Sequence, residues 1–283
     1  MYANSKTKPE ETTLPDALFK QFTQLLQELS GITLKDYKKY LMEYRLQKLV
    51  GPDKPFSTYS ELYKALLADR VGTLRTEYVN VLTTNYTYFF REEIHFQFLA
   101  YYLRTKAQTQ SYLRFWSAAC SSGEEAYSMA MVCAEESRHG IPKDLRILAT
   151  DISYKMLAYS QQGIYPYHRI RGHVPDTYLK RYFAFNPEEK TFTVRPSLRE
   201  FLQFRYLNLM EPYPFKRNFD IVFLRNVLIY FETKEKEYIL QKIFQVTKPG
   251  GYLVLGLSES LVGVSHSFTP LKHSIYRKDV TTA

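Results

Sequence analysis

Four short stretches gather side chains suited to holding a charged, hydroxyl-rich ligand: "AACSSGEEAYS" (118–128), "ATDIS" (149–153), "LNL" (207–209) and "RNVLIYF" (225–231). In the first, Ala118, Ala119, Ser121, Ser122 and Gly123 let a ligand approach the backbone, and Glu124 and Glu125 open the helix that follows. One glycine does not make G-x-G-x-x-G, and a dinucleotide pyrophosphate at this helix N-terminus would meet two carboxylates. A cationic ligand such as a sulfonium is the better match. The plainer use of both glutamates is to complement the helix dipole. Asp151 stands 28 residues beyond Gly123, where a carboxylate commonly accepts both hydroxyls of a ribose. Its rival role is to cap the next helix, although Ser153 can do that. Asn208, Arg225 and Asn226 add polar groups where two further strands end.

A fifth stretch, "TTNYTYFFRE" (83–92), has no helical face but sorts as an extended segment by side-chain parity. Asn85, Thr87 and Arg91 fall on one side, Tyr86, Tyr88 and Phe90 on the other, and Phe89 alone violates the pattern. A turn near Phe89 would remove the conflict. Aromatics on one edge and polar groups on the other fit a linker that joins two domains, its rings buried between them.

These residues need elements to position them. Residues 1–13 are polar and carry Pro9, which predicts a mobile tail. Residues 14–82 read as a helical domain. Leu18, Phe22, Leu25, Leu26 and Leu29 repeat at the spacing of one helix face, closed by Ser30-Gly31. A second helix over 34–50 places Tyr37, Tyr40, Leu41 and Tyr44 on one face. Lys35, Lys38, Lys39 and Arg45 lie on an adjacent arc. Two or three further helices follow. From 93 to 283 strands and helices alternate, beginning with a helix whose acidic start, Glu92-Glu93, suits its positive N-terminus. A short strand opens 112–138, others read at 144–153 and 200–210, another begins 219–231, and the rest follow "KPGG" and lie in "HSIYRKD". Such alternation means a doubly wound α/β sheet whose ligands sit beyond the strand C-termini. Residues 163–199, including "KTFTVRP", are too long for a plain crossover and predict a small β-containing insertion.

Composition narrows the setting. The 283 residues carry 45% hydrophobic and 24% charged side chains, which describes a globular protein. No apolar run approaches the roughly 20 residues needed to span a bilayer, and the N-terminus lacks an apolar export signal. Two cysteines cannot build a disulfide framework, so a reduced cytoplasmic setting is expected. Cys133 reads as core, and Cys120 fills a loop position that requires a small residue, with no redox role. The net charge of +9 favours an acidic partner without choosing which. The six histidines show no ligand spacing with cysteines or acids, so no metal is expected.

The set "TTNYTYFFRE", "WSAACSSGEEAYSMAM", "ATDIS", "LNL", "RNVLIYF" and "KPGGYLVLGLSES" resembles the CheR-type chemotaxis receptor methyltransferases, in order across about 20 to 278. The resemblance implies an all-helical N-terminal domain followed by a Rossmann-like methyltransferase domain with a small antiparallel β insertion. It implies a cytoplasmic enzyme that uses S-adenosylmethionine (SAM), releasing S-adenosylhomocysteine, to esterify glutamates in the cytoplasmic helical region of chemoreceptors. By match to the family's motifs, Asn85, Thr87 and Arg91 are linker contacts to cofactor and active site. Glu125 and Asp151 are cofactor-binding acids, and Asn208, Leu209, Arg225 and Asn226 are later contacts. Tyr230 matches a tyrosine that assists at the transferring methyl, and Lys35, Lys38, Lys39 and Arg45 match a basic receptor-facing surface. Where some members carry a glycine-rich loop that grips a receptor's C-terminal peptide, "FAFNPEEKTFTV" has no glycine, which argues against tethering.

The implied chemistry agrees with the inventory. A glutamate carboxyl ordinarily titrates at about 4.3, so it is already ionised at neutral pH and needs neither general base nor metal. It needs only in-line placement against a sulfonium methyl, with Arg91 and Tyr230 as orienting groups. Two rivals differ in class. A nucleic-acid methyltransferase acting on amino groups would carry Asn/Asp-Pro-Pro-aromatic after the fourth strand, where "RNVLIYF" stands. A SAM-binding module without transfer would have lost site residues, and all the matched ones are present.

Overall fold

The computed structural model describes residues 13–107, 110–137, 142 and 144–280, so nearly all of the expected tail lies outside it. The chain divides into two compact units, Met1–Thr84 and Asn85–Ala283; residues 85–92, expected to form a linker, cluster with the second.

The first unit is helical: α1 (Asp16–Ser30), α2 (Lys39–Leu46), α3 (Tyr59–Ala68) and α4 (Thr73–Leu82). The face of α1 is set by Phe19, Phe22, Leu25 and Leu26, while Leu18 and Leu29 are only half-buried. Gly31, at φ 75°, closes the helix by donating its N–H to the Gln27 carbonyl at 2.7 Å. Thr58 and Glu61 form a capping box at the start of α3. Tyr78 of α4 is fully buried, stacks on Phe22 and donates its hydroxyl to the Phe22 carbonyl at 2.7 Å.

The second helix departs from expectation. Residues 34–50 are not one helix: Lys35 is extended, Asp36–Lys38 form a 3-10 turn, and α2 begins only at Lys39. Lys35 and the 3-10 turn interrupt the regular helical steps that an arc through Lys35, Lys38, Lys39 and Arg45 assumes. Lys39 pairs with Asp16 at 2.5 Å, and Arg45 donates to the Leu82 carbonyl and, at 2.8 Å, to Thr84 Oγ1. The buried side of this segment is Met42 and Leu46, not the tyrosine stripe; Tyr37, Tyr40 and Tyr44 are exposed. A hydroxyl at the ring tip makes tyrosine tolerable on either side, so spacing alone could not tell stripe from core.

The second unit is built on a seven-stranded sheet. Its strands are β1 (Leu113–Ala118), β2 (Leu145–Asp151), β6 (Leu202–Tyr206), β7 (Phe219–Leu224), β8 (Thr247–Leu255), β9 (Thr269–Pro270) and β10 (Ile275–Arg277). Their order is β6-β2-β1-β7-β8-β10-β9, parallel from β6 to β8, with β10 antiparallel to β8 and β9 antiparallel to β10. The helices are α5 (Ile94–Thr105), α6 (Glu124–Glu136), α7 (Tyr154–Gln162) and, after three short ones, α11 (Thr233–Val246). Phe115, Ile147, Ala149, Phe204, Ile221 and Phe223 face a core shared with α5, α6 and α7. Buried Asp220 ties three strands together: it accepts the Arg114 N–H at 2.8 Å, the Tyr102 hydroxyl at 3.1 Å and Lys248 Nζ at 2.8 Å.

The predicted insertion is present. It holds β3 (Ile164–Pro166), α8 (Tyr167–Ile170), α9 (Asp176–Tyr182), β4 (Phe183–Asn186), β5 (Thr191–Val194) and α10 (Pro196–Arg199). The strands form an antiparallel sheet in the order β3-β5-β4.

One glycine decides how tightly the site is assembled. Gly123, at φ 95°, lets the start of α6 approach α7 so closely that an added Cβ would lie 2.6 Å from Ser160 Cβ. Gly172 also has positive φ (85°) but open space around it. Gly123→Ala is therefore expected to cost at least ~2 kcal/mol more stability than Gly172→Ala, read from urea midpoints. Equal losses would show that the close approach carries no energy.

Candidate active site

The sheet order reverses between β1 and β7, since β1 has β2 on one side and β7 on the other. At such a switch point the chain leaves a crevice beyond the strand C-termini, and most of the selected residues lie around it. Arg225, the residue after β7, is only 5% exposed and lies over the rings of Phe96 and Phe223. Its Nη1 donates to Glu125 Oε2 at 2.9 Å, and its Nη2 to Glu92 Oε2 at 3.0 Å and to the Arg91 carbonyl. Glu125 also accepts Ser117 Oγ at 2.6 Å, and Glu92 accepts the Leu257 N–H at 3.0 Å. Two carboxylates thus share one guanidinium, and one negative charge is left over.

The two acids respond differently. Burial pushes the Glu125 carboxyl up, only partly offset by Arg225 and Ser117. Burial also pushes Glu92 up, but Arg225, the Leu257 N–H and Asn226 outweigh it and hold that carboxyl below its ordinary value.

Glu124 separates from Glu125. It is fully buried, pairs with Arg169 of α8 and accepts Ser122 Oγ at 2.7 Å. The expectation that both glutamates await a cationic ligand is therefore corrected: Glu124 is neutralised within the protein and fastens the insertion to the loop before α6. Tyr165 adds a second tie, donating to the Ser122 carbonyl at 2.7 Å.

Asp151 ends β2 with both oxygens engaged. Oδ2 accepts the Ser121 N–H and Oδ1 the Ser153 N–H, each at 2.8 Å. Ser153, not Asp151, caps α7, accepting the Met156 N–H at 3.2 Å. Burial raises the Asp151 carboxyl to about 6 against the lowering effect of these N–H groups. The Asp151 carbonyl accepts the Leu207 N–H, which brings Asn208 and Leu209 alongside; both are buried. Asn208 Oδ1 accepts the Met210 N–H at 3.0 Å, shaping the turn after β6.

Asn226 is held in the left-handed region at φ 58° by an acid that sequence reasoning passed over. Glu259 Oε2 accepts the Asn226 N–H at 2.6 Å and the Gly256 N–H at 2.8 Å. Gly256 is required because an added Cβ would lie 2.3 Å from Asn226 Nδ2. Tyr230 follows on a 3-10 turn, Leu228–Tyr230, and is half-buried.

The segment 85–92 is not one extended ribbon: it turns at Phe89, where the parity conflict called for a turn. Phe90 and Glu92 both take positive φ, 55° and 58°, so the chain turns after Phe89 and parity fails. Phe89, the apparent violator, is the buried ring (1% exposed), edge-on to Tyr165 and Phe183, while Tyr86 is 72% exposed. The aromatic edge is thus not buried as a set. The Asn85 carbonyl accepts Ser121 Oγ at 3.0 Å, and the Phe90 N–H donates to Ser128 Oγ at 3.0 Å. Thr87 is half-buried beside them. The Arg91 guanidinium folds back over Tyr86 and Tyr88 and donates to the Tyr86 carbonyl at 3.0 Å.

Sequence reasoning misses Glu92, Ser117, Arg169 and Glu259. Glu92 looks like an acid at a helix start, yet α5 begins at Ile94 and Glu92 turns to Arg225. The available signal for Glu259 is an acid among small residues at a strand end, in "GLSES". His95 is buried; its Nε2 donates to the His273 carbonyl at 2.8 Å, leaving Nδ1 a bare acceptor 3.5 Å from Glu92. Burial lowers its pKa to about 4.

The donor set fits SAM on chemical grounds. The unmatched negative charge at Glu92 and Glu125 suits a ligand with one net positive charge. Asp151 has lone pairs to spare for a ribose, and Ala119 and Ser121, both at positive φ, bend the loop before α6. Among the described residues no three histidine, cysteine or acidic side chains gather as a metal site.

Comparison with known proteins closes the identification. Residues 85–277 match the CheR methyltransferase SAM-binding domain, and residues 17–83 match the CheR methyltransferase all-alpha domain. Chemotaxis protein methyltransferase 1 of Vibrio cholerae is 38% identical over 260 residues, covering 90% of this chain and 94% of that protein. The chemotaxis protein methyltransferase of Borreliella burgdorferi is 38% identical over 242 residues, 82% and 84% of the two chains. That of Escherichia coli is 33% identical over 270 residues, 94% and 92%. The chain belongs to the CheR methyltransferase family.

Proposed function

We propose that this chain methylates glutamate side-chain carboxylates in the cytoplasmic helical region of chemoreceptors, using SAM, and that it works in the cytoplasm. Among the described residues no helix is long and apolar enough to cross a membrane. The relatives that span most of the chain are named as chemotaxis methyltransferases.

One observation supports the carboxylate as substrate: Glu92, Glu125, Asp151 and Glu259 all take part in fixed contacts within the protein. Glu92 and Glu125 are spent on Arg225, Asp151 on two backbone N–H groups, and Glu259 on two more. His95 presents its proton to a carbonyl. An amine or hydroxyl nucleophile would need a base to take its proton. A glutamate carboxylate arrives ionised and needs none.

Bound SAM supplies an electrophilic sulfonium methyl. Asp151 would hold the ribose hydroxyls, Asn208 and Leu209 the adenine side, and Glu92 and Glu125 would balance the positive charge. Arg91 gives up one neutral hydrogen bond and two ring contacts to meet a carboxylate, a small loss against a charge-assisted pair. Tyr230 would donate a hydrogen bond beside it. Receptor contact falls on the exposed part of the segment before and within α2, where Lys35 and Lys38 lie beside Tyr37, Tyr40 and Tyr44. A tethered receptor peptide is not part of this reading.

Incubation with methyl-labelled SAM and receptor-rich membranes should place alkali-labile label on a membrane protein. Label in RNA or DNA, or none, contradicts carboxyl methylation. Arg91→Ala should lower turnover at saturating SAM by roughly 10- to 100-fold; unchanged turnover removes Arg91 from the mechanism. The raised Asp151 pKa gives a sign. The ionised form accepts two ribose hydroxyls, so SAM affinity should fall as pH drops through about 6. Asp151→Asn should bind about 10- to 100-fold more weakly, with no step in that window. A step that persists in the Asn variant assigns the titration elsewhere.

A further inference from the structure

The chain crosses from β6 to β7 through residues 207–218 without a helix, and this leaves part of one sheet face uncovered. The residues there are set by strand parity. Arg146, Leu148 and Thr150 of β2 point to this face; their register partners are Arg114 and Trp116 on β1 and Gln203 and Arg205 on β6. A groove of about 540 Å³ opens over them, within the range of small-molecule sites. None of the SAM-site residues lines it.

Its lining carries five cations, Arg114, Arg146, Arg205, Lys216 and Arg217, and no acid. Arg114 and Arg146 are direct neighbours on adjacent strands, a placement that like charges disfavour. The counter-charge beside them is Asp144, 2.8 Å from Arg114 and 3.6 Å from Arg217. Arg146 and Arg205 each spend one of five N–H donors on the carbonyl just before them in the chain, at 2.7 and 2.9 Å. Both guanidiniums are exposed. The floor is apolar and partly aromatic: Leu148 and Phe215.

We infer that this groove is a second ligand site, distinct from the SAM crevice, that binds a nucleoside phosphate. The flat base lies on the apolar floor and the phosphates meet the arginines at the rim. The volume of this half-open groove suits one nucleotide, whereas an acidic peptide or a polynucleotide needs a longer track. SAM itself, with a net positive charge, is repelled from this face.

Trp116 is the sole tryptophan and reports on the groove. It is fully buried beneath the groove, with ring centroids 4.9 Å from Phe215 and 5.3 Å from Phe219. Its fluorescence should be titrated with ATP and AMP in protein saturated with S-adenosylhomocysteine, so that the adenosine pocket is filled. A saturable, salt-sensitive change is expected, with ATP tighter than AMP. Adenosine and inorganic phosphate should each bind at least about tenfold more weakly than ATP. The double variant R146E/R205E should weaken ATP by at least about 30-fold while SAM binding stays within about twofold. The milder R146Q/R205Q should follow in the same direction and covers any loss of folding in the first. No saturable response into the millimolar range overturns the proposal. So does adenosine or phosphate alone matching ATP, insensitivity to both double variants, or tighter binding of polyglutamate or an RNA oligonucleotide.

Discussion

The buried guanidinium of Arg225 is the contact on which the rest of the site depends. It leaves the end of β7 and reaches Glu125 at the head of α6, Glu92 at the turn before α5 and the Arg91 carbonyl. Three elements that are distant in sequence are thereby fixed at one point. Removing one partner of such a pair typically costs about 3–5 kcal/mol, because a charge is left buried without company. The planar fork of arginine reaches two carboxylates and a carbonyl from separate nitrogens, whereas a lysine offers one compact point charge.

That arrangement also sets the chemistry. Glu92 and Glu125 are tied to Arg225 and Glu259 to two backbone N–H groups, so these acids place charge at the crevice in fixed positions. Around Arg225 the backbone is bent to suit: Phe90, Glu92 and Asn226 all take positive φ. Each bend is locked by a side chain, Ser128 for Phe90, Arg225 for Glu92 and Glu259 for Asn226. Strain of about 1–3 kcal/mol per residue persists only where neighbours over-determine it, and here they do.

Much of this was legible in the sequence. The sheet, the insertion and the strand-end residues followed from alternation, loop length and polar residues at strand ends, because burial enforces those patterns. The helical unit's second element was not legible. Tyrosines at helical spacing look like a core stripe, yet Tyr37, Tyr40 and Tyr44 are exposed and a 3-10 turn breaks the run. Parity in 83–92 failed because two left-handed residues reverse side-chain direction, and neither Phe90 nor Glu92 signals positive φ by type. Arg169 was invisible because its partner, Glu124, lies 45 residues away, and Glu259, whose partner Asn226 lies 33 residues away, left only the acid in "GLSES" as a signal. Charge pairing at such range is decided by the fold and leaves no local pattern.

The central claim is that Glu92 and Glu125, sharing Arg225, leave one negative charge that meets the positive charge of the cofactor. Calorimetric titration of Glu92→Gln with SAM and with S-adenosylhomocysteine tests it directly, because the two ligands differ by the sulfonium charge. SAM affinity should fall about tenfold, a little over 1 kcal/mol, while S-adenosylhomocysteine changes by less than about threefold. Equal losses for both ligands, or none for either, would contradict it.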